Sequence, residues 1–264
     1  GWLAVCVIAY TIGGTLNHSM TLAMHEISHN LAFESMYLNR ALGLIANLPL
    51  GVPSYGSFRR YHLQHHRYQG EQGVDVDVPS EAEGWFFRDS LRKLIWVAIQ
   101  VAFYAVRPLV LVPKFPPSTL ELINIPFQIA FDVALVYYTN SYTPLLYLLL
   151  SSAFGLGLHP MAGHFIAEHY TFITGVETYS YYGPLNFFSF NVGYHNEHHD
   201  APSIAGSRLG DLRAAAPEFY DNLPMHHSWT KVIWDYVFTP QVGPFSRIKR
   251  HTLSDEDVAV LQKQ

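Results

Sequence analysis

Cysteine is almost absent from this chain. Cys6 is the only one in 264 residues, which excludes an intrachain disulfide and a thiolate cluster. Charge is scarce too: Asp, Glu, Lys and Arg make up 14% of the residues and hydrophobic types 49%. A soluble domain carries about 25% charged residues, so the shortfall points to a membrane protein. The formal net charge of −5 leaves no basic footprint for nucleic acid, and no internal repeat or low-complexity segment is present. The chain opens at Gly1 inside an apolar run rather than at a methionine, so the expectation is a fragment lacking an N-terminal part.

What is abundant is apolar sequence in long runs. A spanning helix needs roughly 20 mainly apolar residues. Gly1 to Ala23 contains no Asp, Glu, Lys or Arg, and neither does Tyr142 to Ala162. Leu122 to Tyr138 is shorter and carries Pro126 and Asp132; only Thr139, Asn140 and Ser141 separate its end from Tyr142, which predicts a helical hairpin across the bilayer. Asp132 is read as a hydrogen-bonded polar residue inside the bundle. Spans are therefore expected at about 1–23, 122–138 and 142–162.

Two further apolar stretches are read as interfacial, 41–52 because it is too short to span and 94–112 because of parity. If 94–112 crossed, the histidines before and after it would lie on opposite faces. The sixteen Lys and Arg fall in 40–114 and from Arg208 onward, which puts 24–121 and 163–264 in the cytoplasm by the positive-inside rule.

Histidine is the other excess. Eight of the fifteen lie in three clusters: His25-Glu-Ile-Ser-His29, His62-Leu-Gln-His65-His66 and His195-Asn-Glu-His198-His199. Residues four apart share a helical face and can hold one metal ion. Neutral imidazole suits iron, copper, nickel and zinc. Eight imidazoles exceed a single tetrahedral zinc, which takes four ligands, so two metal ions are expected at the cytoplasmic membrane face. Glu26, Asp75, Asp77, Glu197 and Asp200 are candidates to fix the ring orientations. Among His159, His164 and His169, which follow the last span, His164 is taken as the additional ligand, with the other two as alternatives. His18 is read as a buried polar contact, and His226, His227 and His251 as surface residues.

Two other readings of the histidines compete. His25-Glu-x-x-His29 satisfies the zinc metalloprotease pattern, with Glu26 as general base, but leaves six clustered histidines without a role. A haem electron carrier with bis-histidine ligation would place histidine pairs inside the spans, whereas these lie at span ends and in cytoplasmic segments.

The order H-x(3)-H, H-x-x-H-H, H-x-x-H-H in this setting resembles the membrane fatty-acid desaturase family. Longer strings resemble its sphingolipid Δ4-desaturase branch: Asn17-His-Ser19, Asn47-Leu-Pro49, Gly73-Val-Asp-Val-Asp-Val-Pro79, Glu83-Gly-Trp-Phe-Phe87, Gly163-His-Phe-Ile-Ala-Glu-His-Tyr170 and Asn191 through Asp200. The likeness covers nearly the whole chain, excluding the last dozen residues. Ala201 departs from it, standing where an aromatic is expected.

The resemblance implies an all-α polytopic membrane protein with a cytoplasmic non-haem di-iron centre. It implies dioxygen as oxidant, electrons from cytochrome b5 and its reductase, and residence in the endoplasmic reticulum membrane. It also implies an earlier membrane helix preceding Gly1. The metal ligands are then His25, His29, His62, His65, His66, His164, His195, His198 and His199. The reaction it implies is conversion of dihydroceramide to ceramide, with hydroxylation at carbon 4, alone or alongside desaturation, as the alternative. Arg59, Arg60, Arg67, Arg88, Arg92 and Lys93 are the expected docking surface for the acidic electron donor, or else anchors for lipid headgroups.

Overall fold

The computed structural model describes residues 1–110 and 116–250. Among them the regular structure is almost all helical, as expected. The only sheet there is one parallel pair, β1 (Ser180–Tyr181) beside β2 (Met225–His226). The charge-free N-terminal run forms one helix, α1 (Trp2–Ser28), long and apolar enough to cross a membrane, with a π turn at Ala9–Gly13. It continues past Ala23, so His25 rides on its last turn.

The next elements stack on the end of α1. Helix α2 (Met36–Asn47) begins at Ser35, whose side chain accepts from the Leu38 amide. It ends in a 3-10 turn, Leu48–Leu50, so the 41–52 stretch is half helix and half turn. Buried Asn47 organises that turn: its Nδ2 donates to Val52 O and Gln128 Oε1, and its Oδ1 accepts from the Ser54 and Tyr55 amides. Helix α3 (Tyr55–Tyr68) follows and carries the second histidine cluster. A short helix, α4 (Glu81–Phe86), starts at a capping box made by Ser80 and Glu83.

Helix α5 (Ser90–Val110) is also long and apolar enough to cross a membrane by length and composition. It makes buried polar contacts near both ends, and in its middle Gln100 donates to Leu156 O. Lys93 is buried and donates to Thr239 O and Val242 O. Arg107 is buried and bonds both Glu83 oxygens and Val76 O. Leu111 and Val112, the end of the expected interfacial stretch, lie outside the described residues.

Helix α6 (Thr119–Thr139) opens with a second capping box, Ser118 with Glu121, and closes at Asn140 in the left-handed conformation. It is one 21-residue element, longer than the expected 122–138. Asp132 accepts from Gln128 Nε2 one turn away at 2.9 Å, which gives it the polar partner anticipated for an acid in this setting. After the hairpin turn, α7 (Thr143–Gly155) crosses α1 with glycine against glycine. A Cβ on Gly155 would stand 2.3 Å from Gly14 O, so only glycine permits this approach. Where one continuous helix to residue 162 is expected, α7 stops at Gly155 and the short α8 (Pro160–Ala167) resumes at 40°. His159 caps the second piece, its Nδ1 accepting from the Met161 amide.

The larger apolar core gathers Trp96 and Val97 of α5 with Met161, Ile166, Tyr170, Trp229 and Tyr236. A smaller one joins Met24 and Ile27 of α1 to Ala46, Leu50 and Tyr55. Within the larger, Glu83 accepts from Trp96 Nε1 as well as from Arg107. Removing one partner of a buried ion pair leaves the other charge uncompensated. Glu83→Ala should therefore destabilise the protein by about 3–5 kcal/mol, read as the denaturation midpoint in detergent.

Candidate metal centre

The three clusters arrive on different elements. His25 and His29 sit at the end of α1, His62, His65 and His66 on the last turns of α3, and His195, His198 and His199 on α9 (His195–Asp200). They separate into two adjoining groups. In the first, one nitrogen from each of His25, His29, His62, His66 and His198 lies within 4.8 Å of all the others. In the second, His65, His169 and His199 meet the same test, and His195 Nε2 lies 2.9 Å from His169 Nε2. The groups touch where the His66 and His199 rings stack at 4.2 Å.

The H-x-x-H-H spacing explains the division. In α3 the i,i+4 pair His62 and His66 faces the first group, while His65, about 100° round the helix from His66, faces the second. In α9 the roles are exchanged: the pair His195 and His199 faces the second group and His198 the first. Each helix thus feeds both groups.

His164 stands apart from both. Its Nδ1 lies 2.9 Å from His18 Nε2 and 3.1 Å from Met161 O, while His18 Nδ1 bonds Gly155 O. The short helix His164–Ala167 turns its first residue toward α1. His169, just beyond its end, is the histidine of this segment that reaches the second group. His169 Nδ1 donates to Glu177 O, which directs Nε2 at His65 Nε2 and His195 Nε2, both 2.9 Å away. The H-F-I-A-E-H spacing alone did not choose between them, because the choice depends on where the helix stops. His159 caps a turn, His226 packs on Phe172 and Tyr179, His227 is exposed, and His251 lies outside the described residues.

The carboxylates divide similarly. Asp75 is buried and accepts from His65 Nδ1 at 3.0 Å and from the Gly70 and Asp77 amides. Asp77 lies 3.6 Å from the same imidazole. Glu26 Oε2 accepts from the Gly206 amide while Oε1 lies 4.0 Å from His25 Nδ1, so its carboxylate is held beside that ring and does not stand between His25 and His29 as a general base. Glu197 accepts from Ser180 Oγ and Tyr182 OH and thereby fastens α9 to β1; Asp200 bonds Tyr220. Glu168, not singled out by sequence, has Oε1 3.5 Å from His195 Nδ1.

Burial disfavours the charged imidazole. It holds His62, His169, His195 and His199 well below the ordinary value. Burial, reinforced by neighbouring imidazoles, lowers His66 to about 2 and His198 to about 3; burial with Arg59 lowers His29 to about 4. His65 goes the other way: burial opposes its charge, but Asp75 and Asp77 outweigh it and raise it. The site is therefore a set of mostly neutral imidazoles with lone pairs facing inward. Buried His25 Nε2 and His199 Nε2 have no hydrogen-bond partner. Nitrogens 2.8–3.1 Å apart match the spacing of about 3 Å between adjacent octahedral donors at about 2.1 Å from a metal ion. The residues present fit two metal ions.

A helical membrane protein here gathers nine imidazoles into two adjoining groups that could hold metal ions. The chain belongs to the fatty acid desaturase family, whose family model matches residues 1–230. It is 56% identical over 258 residues to the sphingolipid delta(4)-desaturase DES1 of Bos taurus, covering 97% of this chain and 79% of that one. The human protein of the same name is 55% identical over 253 residues, 95% of this chain and 77% of that one. The human sphingolipid delta(4)-desaturase/C4-monooxygenase DES2 is 54% identical over 251 residues, 94% and 77%.

Two outcomes test this centre. Asp75→Asn, which weakens the acceptor for His65 Nδ1, should lower metal affinity by ~10–100-fold, measured by competition with a chelator. In the metal-free protein, unfolded histidines take up protons below pH 6.5, whereas His29, His66 and His198 do so only near 4, 2 and 3. The unfolded state then binds more protons as pH falls from 6.5 toward 4, so stability should drop over that window. A denaturation midpoint lower at about pH 5 than at about pH 7.5 is the expected reading.

Proposed function

We propose that this chain is a sphingolipid Δ4-desaturase that converts dihydroceramide to ceramide. The observation that carries the reading is the convergence of nine imidazoles within a chain that matches the relatives so named along nearly its whole length. The proposed ligands are His25, His29, His62, His66 and His198 for one ion and His65, His169, His195 and His199 for the other. His169 replaces His164, which lies outside both groups.

Iron is the metal this chemistry needs. Two bound iron ions would supply the oxidising power for removing hydrogen from an unactivated C–H bond, which no protein acid or base can do. The overall change is –CH2–CH2– plus O2, two electrons and two protons to –CH=CH– and two waters. The chain's own contribution is positional. Neutral imidazoles present their lone pairs, Asp75 fixes the His65 ring, Glu197 fastens α9 to β1, and the two apolar cores hold the helices that carry them. Misplacing the two reacting carbons by about 1 Å costs ~100-fold in rate.

The proposed setting is the endoplasmic reticulum membrane, with the histidines facing the cytoplasm. Helix α5 then lies along that face. A 21-residue helix is about 30 Å long, and a crossing α5 would carry either Lys93 or Arg107 away from the layer both bond to. Electrons come from a cytochrome b5 steered by charge. Arg67, Arg88 and Arg92 are exposed, but Lys93 is buried against carbonyls and does not belong to that surface.

Carbon-4 hydroxylation is the second reading, favoured by the likeness to relatives named desaturase/C4-monooxygenase. Mass spectrometry of membranes incubated with a dihydroceramide separates the two. Loss of two hydrogens is the expected product; gain of one oxygen would move the assignment to the hydroxylase, and turnover of acyl-CoA alone would overturn the sphingolipid substrate.

A further inference from the structure

Phe187, Phe188 and Phe190 are 85%, 46% and 45% exposed, a run of apolar rings on a segment read from sequence as cytoplasmic. Phe187 and Phe188 close the 3-10 helix Pro184–Phe188, and Phe190 lies in the turn between that helix and α9. Two contacts set the direction of this turn relative to α1. At one end, Phe190 O packs on Gly206, whose amide donates to Glu26. At the other, Ser19 Oγ donates to Phe188 O at 2.6 Å. The turn therefore runs along α1 from Glu26 back to Ser19, seven residues, or about 10 Å at 1.5 Å per residue.

The direction is toward the apolar part of α1. Leu16, one turn beyond Ser19, is 54% exposed. The headgroup layer is roughly 5–8 Å thick on each side of the bilayer, so a displacement of about 10 Å from the histidine level reaches the acyl chains. Nor is the turn loose. Phe190 and Asn191 are held at φ +52° and +59°, a conformation that is costly for a bulky residue. Asn186 secures it, donating to Tyr181 O and accepting from the Gly193 amide, while Asn191 Nδ2 bonds Gly206 O.

We propose that the 187–190 turn is a membrane-inserted finger whose phenylalanines enter the acyl-chain region of the bilayer beside α1. It anchors the segment leading to His195 at a fixed depth, so that the second imidazole group is held level with the lipid. The proposal rests on α1 crossing the membrane and is independent of the reaction.

Cys6 is the only cysteine, so a Cys6→Ser background allows single spin labels on the full chain in phosphatidylcholine vesicles. Labels are placed at Phe187→Cys, at Leu16→Cys as the lipid reference and at Asp211→Cys as the aqueous one. Relaxation by dissolved oxygen should exceed that by a water-soluble nickel complex at 187 and 16, and the order should reverse at 211. Nickel dominance at 187 with oxygen dominance at 16 would overturn the finger; nickel dominance at 16 would overturn the span and the finger with it. Phe187 makes little packing contact, and Phe190→Cys read the same way decides the matter if the first variant does not insert.

Discussion

One demand shapes this fold: nine imidazoles must be brought together in two adjoining groups while most of them remain uncharged. Protonating several of them at that spacing would set like charges against each other in a low-dielectric interior. The chain meets the demand by burial. His169, His195 and His198 are almost fully out of water, and their neutral form follows from desolvation. His65 is the exception, and its Asp75 partner shows what a carboxylate adds: a fixed tautomer, with Nδ1–H held by Asp75 and Nε2 left free.

The two helices that carry H-x-x-H-H solve a second problem. A straight helix presents a side chain to one direction every 3.6 residues, so one helix can load one group with an i,i+4 pair but not two groups equally. Adding a histidine at i+3 supplies the neighbouring group from the same turn. Because α3 gives its pair to the first group and its single histidine to the second, and α9 does the reverse, the two groups are interlocked. Neither can form without both helices in register. That coupling explains why so much of the remaining structure, from the Glu197 latch to the Asn186 turn, is spent fixing α9.

The three clusters and their position beside apolar runs were legible in the sequence, because each depends on local spacing. The all-helical membrane architecture was legible for the same reason. The split within each H-x-x-H-H was not, because i, i+3, i+4 spacing reads as nearly one helical face, whereas His65 and His198 each face the other group from their neighbours. What escaped depends on where helices stop and how they cross. His169 outranks His164 because the helix that starts at His164 ends at Ala167 and the chain turns there, which no periodicity announces. Lys93 looked like part of a docking surface until its burial against Thr239 O and Val242 O. Glu26 fitted a general base by motif, yet the amide of Gly206, 180 residues away in sequence, claims it.

The apolar layer carries its own polar devices, and their placement follows the same logic. Asn17 donates to Pro49 O and Ser152 Oγ, and Asn47 to Val52 O and Gln128 Oε1. Side-chain hydrogen bonds between membrane helices contribute only about 0.6 kcal/mol on average, so stability is a weak reason for them. Their geometry is a stronger one. Leucine packing tolerates sliding of one helix on another, whereas an amide with fixed acceptors on α7, the 48–50 turn and α6 does not. With Gly14 pressed on Gly155, these contacts set the height of α1 against the rest of the bundle. The height of α1 sets the depth of His25 and His29, and hence whether the first imidazole group closes at all.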